Sequence, residues 1–326
     1  MTPAALREAL ARFPSLPFVG APTVVEPMPR LAGILGGGPN LFIKRDDAIP
    51  FGFGGNKVRK LALVAAQAQA DGADALITAG GVQSNHARAT AAAAARLGMK
   101  AILVANGIAP AKPTANALLD ELLGAEVVYV DSREKRAPKI LEIAERLRGE
   151  GRQPFAIPIG ASTPLGALAY ALALAELVDQ MPAPHAIVHA TSSGGTQAGL
   201  VAGARLLGLS TRVVGISADS ASASLQSEIR AIISGIADLL DMDPAALTRG
   251  TGIEVDDRFV GDGYGVPTDA SIEAIELAAR MEAIFLDPTY TAKAMAGLIS
   301  YVRQQKFVEG QTVVFWHTGG QVGLFA

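Results

Sequence analysis

A strand, a helix and a second strand follow one another in residues 75–104, ALITAGGVQSNHARATAAAAARLGMKAILV. Residues 75–78 and 101–104 are short apolar runs, and residues 87–97 between them are rich in alanine and long enough for a helix. Strands that alternate with helices in this way form βαβ units, whose strands are parallel. The segment therefore predicts a parallel sheet that is covered by helices.

The same alternation continues along the chain in two successive series. Further strands are predicted at 127–130, 186–189, 212–217 and 312–317, and further helices at 115–123, 137–148, 164–179, 195–207, 222–234, 269–282 and 291–304. We therefore predict an α/β fold with two open, mostly parallel, twisted sheets flanked by helices, and a ligand cleft between them. A small domain is predicted at 53–163, inserted into a large domain formed by residues 1–52 and 164–326.

Composition narrows the class of protein. The chain has 326 residues, of which 50% are hydrophobic and 18% charged, as in a globular protein. A net charge of -3 offers no basic field for nucleic acid, and the absence of cysteine excludes disulfides and thiolate metal sites. No signal peptide and no apolar run of membrane-spanning length is evident. We expect a cytoplasmic protein with no nucleic-acid, membrane or metal partner.

A glycine-rich turn precedes Lys57 in residues 51–60, FGFGGNKVRK. A lysine amine forms an imine with a carbonyl cofactor only when it is unprotonated, and burial near other cations lowers its pKa toward that state. The alternative is a simple turn followed by a solvated basic start of a helix. Arg59 and Lys60 are interpreted as surface charges or as a local positive field, and not as catalysts.

Two further segments place polar groups where a helix begins. In residues 80–88, GGVQSNHAR, the free N–H groups of the helix start and the side chains of Ser84 and Asn85 suit a carboxylate. The alternatives are an ordinary helix cap and, for His86, a structural hydrogen bond. In residues 191–199, TSSGGTQAG, glycines and the Ser193 and Thr196 hydroxyls form a possible cradle for one phosphate, or else a tight turn.

The last two segments, LDPTYTAKAM at 286–295 and FWHTGG at 315–320, lie near the end of the chain. Thr318 follows a predicted strand directly, at the edge where ligands gather in open α/β sheets. Tyr290 is a candidate proton donor or acceptor near the substrate. Taken alone, each of these residues is better explained by capping or packing.

In this order, the segments resemble the tryptophan synthase β-type (fold type II) pyridoxal-5′-phosphate (PLP) enzymes. Within that group they resemble the 1-aminocyclopropane-1-carboxylate deaminase/D-cysteine desulfhydrase family. The resemblance covers nearly the whole chain, because PMPRL at 27–31, IKRDD at 43–47 and GYGVP at 263–267 also match. It implies PLP in the cleft between the domains, a small amino-acid substrate and a homodimer.

The resemblance also implies residue roles. Lys57 carries PLP as a Schiff base and moves the α-proton, Asn85 bonds the phenolic oxygen, and Thr318 faces the pyridine nitrogen. The phosphate is held by Ser193, Gly194, Gly195 and Thr196, and Asn56 also belongs to the cofactor site. The substrate carboxylate is received by Ser84, Asn85 and His86, while Tyr264 and Tyr290 flank the substrate side chain. The catalytic set is therefore Lys57, Ser84, Tyr264 and Tyr290.

The reaction implied is an α,β-elimination. The aminocyclopropane deaminases have an acid after the tyrosine of the fourth segment, whereas this chain has Thr291, and an uncharged pairing with Thr318 resembles the desulfhydrase branch. We therefore expect conversion of D-cysteine to hydrogen sulfide, pyruvate and ammonia. The alternatives are aminocyclopropane deamination, an L-cysteate sulfo-lyase-like activity, and a catalytically silent PLP- or phospholigand-binding protein, which an intact Lys57 disfavours.

Overall fold

A computed structural model describes residues 1–248 and 252–326. Its helices are α1 (Pro3–Leu10), α2 (Pro29–Ile34), α3 (Asn56–Ala70), α4 (Asn85–Leu97), α5 (Ala115–Leu122), α6 (Arg136–Gly149), α7 (Pro164–Gln180), α8 (Gly195–Leu206), α9 (Ser222–Leu239), α10 (Pro244–Thr248), α11 (Asp269–Glu282) and α12 (Thr291–Arg303). Its strands are β1 (Val25–Pro27), β2 (Asn40–Arg45), β3 (Ala75–Gly81), β4 (Lys100–Asn106), β5 (Glu126–Val130), β6 (Pro154–Ala156), β7 (Ala186–Thr191), β8 (Arg212–Ser217), β9 (Glu254–Asp256) and β10 (Thr312–His317).

These strands form two sheets. The six-stranded sheet has the order β1-β2-β10-β7-β8-β9, and the four-stranded sheet has the order β5-β4-β3-β6. The pairing is parallel throughout except between β1 and β2. The predicted α/β fold with two mostly parallel sheets is confirmed. All four strands of the smaller sheet lie within residues 53–163, the range predicted for the small domain.

Helices cover both faces of the six-stranded sheet because side chains alternate along each strand. Ile187 and Val314 pack with the helices α1, α7, α8 and α9, whereas their neighbours Val188 and Phe315 pack with α2, α11 and α12. Strands buried on both faces are continuously apolar, as parallel sheets require. The carboxyl ends of the strands are thus left as the accessible edge.

The helix predicted at 222–234 is longer than expected. It continues through Gly235 to Leu239, because Ile236 and Ala237 are fully buried in the core. A Cβ at Gly235 would lie 2.4 Å from the Pro164 ring. The glycine therefore permits close packing against the start of α7 and does not end the helix.

A buried ion-pair network fixes the start of α3, and it corrects the interpretation of Arg59 as a surface charge. Arg59 is 6% exposed and binds Asp46 through Nε at 2.9 Å and Glu176 of α7 through Nη1 at 2.9 Å. Lys44 also binds Glu176, with Nζ and Oε1 2.6 Å apart. Tyr170 donates a hydrogen bond to the second oxygen of Asp46. Each cation of this network has a carboxylate partner.

Candidate active site

A cavity lies where the carboxyl ends of strands from both sheets meet, with an empty volume of about 980 Å³ that is partly open to solvent. The predicted site residues that line it are Asn56, Lys57, Ser84, Asn85, His86, Ser193, Gly194, Thr196, Tyr264, Tyr290 and Thr318. Gly195 is the predicted site residue that is not part of the lining.

Two glycine turns bring Lys57 and Thr318 to the same cavity. Gly55 precedes α3 with φ +96°, and Gly319 follows Thr318 with φ +82°. A Cβ at Gly55 would lie 2.9 Å from the Thr318 carbonyl oxygen, and a Cβ at Gly319 would lie 2.5 Å from the Gly55 Cα. The two backbones are in contact at these glycines, so neither position has room for a side chain. The contact joins segments that are more than 260 residues apart in the sequence.

The Lys57 amine is prepared for chemistry by its surroundings. Its Nζ donates to Asn56 Oδ1 at 3.2 Å. Burial, and after it the charge of Arg88, lower the pKa of Lys57 to about 8 against the opposing charge of Asp287. Roughly a tenth of this amine is therefore unprotonated at pH 7, and this is the form that attacks a carbonyl group.

A second lysine lies one helical turn further along α3, which corrects the interpretation of Lys60 as a surface charge. Lys60 is 1% exposed, lines the cavity and donates to Gly160 O at 3.2 Å and Ser162 Oγ at 3.3 Å. Burial lowers its pKa, and so does the charge of Lys57. The spacing of three residues was a usable signal, because it places both lysines on one helix face.

The start of α8 forms a cradle next to Lys60. Gly194 precedes the helix with φ +73° and supplies no side-chain cap, and the first N–H group of α8, that of Gly195, donates to Ser162 Oγ at 3.2 Å. Ser193 Oγ and Ser162 Oγ are 2.8 Å apart, and Asn56 Nδ2 donates to Thr196 Oγ1 at 3.0 Å. A helix start, hydroxyl groups and a buried cation that has no carboxylate partner among the described residues fit a phosphate group. Ser162 was not predicted.

The start of α4 forms a second polar wall. Ser84 caps the helix by accepting a hydrogen bond from Ala87 N at 3.2 Å. Asn116 of α5, which sequence reasoning missed, donates from Nδ2 to Asn85 Oδ1 at 2.8 Å. His86 Nε2 and Thr78 Oγ1 are 2.8 Å apart, and burial together with the charges of Lys57 and Lys60 holds the pKa of His86 well below its usual value. His86 is therefore a neutral hydrogen-bonding group.

A pair of tyrosines and two arginines complete the cavity. The hydroxyl groups of Tyr264 and Tyr290 are hydrogen-bonded, and their rings meet edge to face with centroids 5.7 Å apart. The Arg133 guanidinium lies 4.8 Å from the Tyr264 ring centroid and 3.7 Å from Asp219. Arg133, Arg136 and Asp219 line the cavity but were not predicted, because they come from loops and helix ends without a recognisable motif.

Thr291 does not lie where its expected pairing with Thr318 would require. It is fully buried and does not line the cavity. Its hydroxyl group donates to Asp287 Oδ1 at 2.7 Å, and its backbone N–H donates to the same oxygen at 2.8 Å. Thr291 thus stabilises the first turn of α12, and Thr318 is the member of the pair that reaches the cavity.

A lysine with a lowered pKa, beside a phosphate cradle in a cleft between parallel sheets, defines an enzyme that uses a phosphorylated carbonyl cofactor. The chain belongs to the pyridoxal-phosphate dependent enzyme family, whose model matches residues 17–319. The predicted family and the predicted cofactor, PLP, are thereby confirmed. Lys57, Lys60 and the start of α8 would provide the amine and the anion site that this cofactor needs.

Curated relatives and solved structures agree with this membership. D-cysteine desulfhydrase from Salmonella typhimurium is 40% identical over 325 residues, covering 97% of each chain, and the Salmonella newport enzyme is 39% identical over the same length. The crystal structure of an ACC deaminase homologue has a TM-score of 0.91 at 36% identity, covering 98% of this chain and 96% of its own. A PLP-dependent aspartate racemase, with a TM-score of 0.70 at 17% identity, shares the fold.

Proposed function

We propose that the protein is a PLP-dependent lyase that eliminates the β-substituent of D-cysteine. With one water molecule consumed, the products are hydrogen sulfide, pyruvate and ammonia. Bound PLP supplies the electron sink that accepts the pair left when the α-proton departs. The observation that carries the proposal is the Tyr264–Tyr290 hydroxyl pair in the same cavity as the Lys57 amine. The Salmonella relatives, which are named for this reaction, support it.

The starts of α3 and α4 bind and deprotonate the substrate in this proposal. The start of α4, with Ser84, Asn85 and the neutral His86, receives the α-carboxylate, because a helix start stabilises an anion. Lys57 takes the proton from the substrate Cα. Its pKa of about 8 suits a group that both accepts and returns a proton near neutral pH.

The tyrosine pair acts on the departing sulfur in this proposal. Burial raises the pKa of Tyr264 and raises that of Tyr290 well above its ordinary value, so both hydroxyl groups stay protonated at neutral pH. One of them donates its proton to the sulfur as the Cβ–S bond breaks. Removal of this donor by Tyr290→Phe should lower the elimination rate more for D-cysteine than for β-chloro-D-alanine, whose chloride leaves without a proton.

A second candidate substrate is cysteate, because the cavity contains two guanidinium groups. Within residues 1–248 and 252–326, the hydrogen bonds of Arg136 go to neutral acceptors, Asn106 Oδ1 at 3.4 Å and the Arg133 carbonyl oxygen at 3.1 Å. Burial lowers the pKa of Arg136, and the charge of Arg133 lowers it further. A sulfonate in the cavity would relieve this repulsion. Elimination would then release sulfite in place of hydrogen sulfide.

A substrate screen tests the proposal. The holoenzyme is incubated with the D- and L-forms of cysteine, cysteate and β-chloroalanine, and pyruvate, sulfide and sulfite are measured. Aminocyclopropane carboxylate is tested for release of 2-oxobutanoate, and Lys57→Ala is the matched control. We expect pyruvate and sulfide to form fastest from D-cysteine. Faster sulfite release from cysteate would favour the second candidate, and efficient 2-oxobutanoate formation would overturn elimination as the main reaction.

The oligomeric state and the cellular location belong to the same proposal. We expect a cytoplasmic homodimer, and light scattering of the purified holoenzyme tests the dimer directly. No helix in the described part of the chain is both long and apolar enough to cross a bilayer. A mass of 33.5 kDa in solution would contradict the dimer.

A further inference from the structure

A fully buried ammonium group lies behind the tyrosine pair. Lys293 of α12 is 0% exposed, and its three hydrogen bonds all go to backbone carbonyl oxygens. Nζ lies 2.7 Å from Val260 O, 2.8 Å from Gly263 O and 3.3 Å from Ala218 O. Three acceptors require three N–H donors, and only the charged ammonium form supplies them.

The positions of these carbonyl groups connect Lys293 to the cavity wall. Gly263 immediately precedes Tyr264, and Ala218 immediately precedes Asp219. Both Tyr264 and Asp219 line the cavity. Residues 257–267, here called the Tyr264 loop, contain no helix or strand, so the loop depends on such contacts for a defined shape.

Lys293 also has a fixed relation to the other tyrosine. Tyr290 is the N-cap residue of α12, and Lys293 lies three residues later, in the first turn of the same helix. The ammonium group therefore fixes the Tyr264 loop to the helix whose first turn follows Tyr290. The hydrogen bond between the Tyr264 and Tyr290 hydroxyl groups depends on how far the Tyr264 loop lies from the start of α12.

We propose that Lys293 is a positioning residue, a tethered cation that gathers three carbonyl groups and thereby holds Tyr264 against Tyr290. It does not reach the cavity, since it is not part of the lining, and it acts through Tyr264. Its catalytic consequence rests on the proposed function, but its effect on the loop does not. The two parts are therefore tested by separate measurements.

The structural part is tested on the apo-protein by hydrogen exchange and mass spectrometry. Lys293→Met keeps the length and apolar stem of the side chain but removes the donors, and exchange of peptides covering 257–267 should become faster. Lys306→Met, which changes an exposed lysine, is the control and should leave this exchange unchanged. If Lys293→Met does not fold, Lys293→Gln replaces it with the same expectation. Unchanged exchange in the Tyr264 loop overturns the proposal.

Chemical rescue separates a cation from a simple packing role. Lys293→Ala removes the three outer methylene groups and the ammonium, which together correspond to propylammonium. Propylammonium should slow the exchange of residues 257–267 back toward the wild-type rate, whereas tetramethylammonium, which has no N–H donor, should not. Equal effects of the two ions, or no effect of propylammonium, would contradict the assignment of a tethered cation.

The catalytic part is tested by turnover of the holoenzyme. Displacement of Tyr264 should lower kcat by roughly 10–100-fold with little change in PLP binding. Because Lys293 acts through Tyr264, the double variant Lys293→Met/Tyr264→Phe should be no slower than the slower single variant. Multiplicative losses would overturn this route. If exchange changes as expected but no amino acid releases pyruvate even from the wild type, the proposed function fails and the loop assignment stands.

Discussion

Two groups of basic side chains both have members on α3 but have opposite surroundings. The cavity lysines, Lys57 and Lys60, have no carboxylate within ion-pair distance in the described residues, whereas Lys44 and Arg59 of the ion-pair network bind Asp46 and Glu176. Arg59 and Lys60 are adjacent in sequence but point to different elements. A buried charge is costly unless it is paired. We infer that Lys60 offers its charge to an anionic ligand and Lys57 its amine to a carbonyl group, whereas the paired cations stabilise the fold.

The largest effect is expected at Lys57. Lys57→Ala should lower the rate of pyruvate release by roughly 10⁴-fold, because it removes the group that moves the α-proton. Borohydride reduction followed by peptide mass analysis should place the cofactor on Lys57 in the wild type and nowhere in the variant. A cofactor attached to Lys60 in the wild type would break the distinction between the two lysines.

Disruption of the ion-pair network should lower the stability of the fold and leave cofactor binding unchanged. Glu176→Ala removes the carboxylate that Lys44 and Arg59 share. The free energy of unfolding in urea should therefore fall by about 3–5 kcal/mol. Asp179→Ala, three residues along the same helix, breaks the half-exposed pair with Arg7 and should cost less than about 1 kcal/mol. Equal losses in the two variants would remove the basis for calling the network stabilising.

Lys60→Met should give the opposite pattern. The free energy of PLP binding should weaken by about 1.5–3 kcal/mol, the range for a hydrogen bond to a charged group, as measured by spectral titration after dialysis. The apo-protein should become no less stable in urea, because an unpaired buried cation has been removed. A loss of apo-protein stability together with unchanged PLP affinity would place Lys60 in the structural group.

The smallest effect concerns the pH dependence of cofactor uptake. Only the unprotonated amine reacts with the aldehyde. With a pKa of about 8 in place of 10.5, half of the amine is reactive at a correspondingly lower pH. The rate at which apo-protein takes up PLP should therefore rise with pH and level off just above pH 8. A rate that continues to rise toward pH 10.5 would show that burial does not shift Lys57.

Periodic apolar runs made most of the fold predictable. The helix at 269–282 and the strands at 212–217 and 312–317 have the predicted limits, because their alternation coincides with real burial. Residues 43–47 were quoted as a motif, but no strand was predicted at 40–45. Lys44 of β2 is charged but fully buried. Its charge is paired with Glu176, which lies on a helix more than 130 residues away in the sequence. Pairing at that sequence distance leaves no local pattern.

The site was predictable where glycines and hydroxyl groups cluster in sequence, as around Ser84 and Thr196. It was not predictable where distant elements meet. Arg133 contacts Tyr264 only because the loop between β5 and α6 faces the Tyr264 loop. Thr291 was expected by resemblance to form an uncharged pairing with Thr318, but its hydrogen bonds to Asp287 hold it at the start of α12. Side-chain direction at a helix start depends on such local bonds, which sequence position alone does not specify.

The contact between Gly55 and Gly319 limits how this enzyme can change. Both residues have positive φ angles, and neither has room for a Cβ atom, so any substitution there strains the backbone and separates the lysine turn from the turn after Thr318. Substitutions that alter the substrate without loss of the cofactor must therefore fall elsewhere on the cavity. Arg133 and Arg136 are side chains in that wall that project from the surface of α6 and its preceding loop. Directed evolution of specificity should accumulate changes at these arginines and leave both glycines untouched.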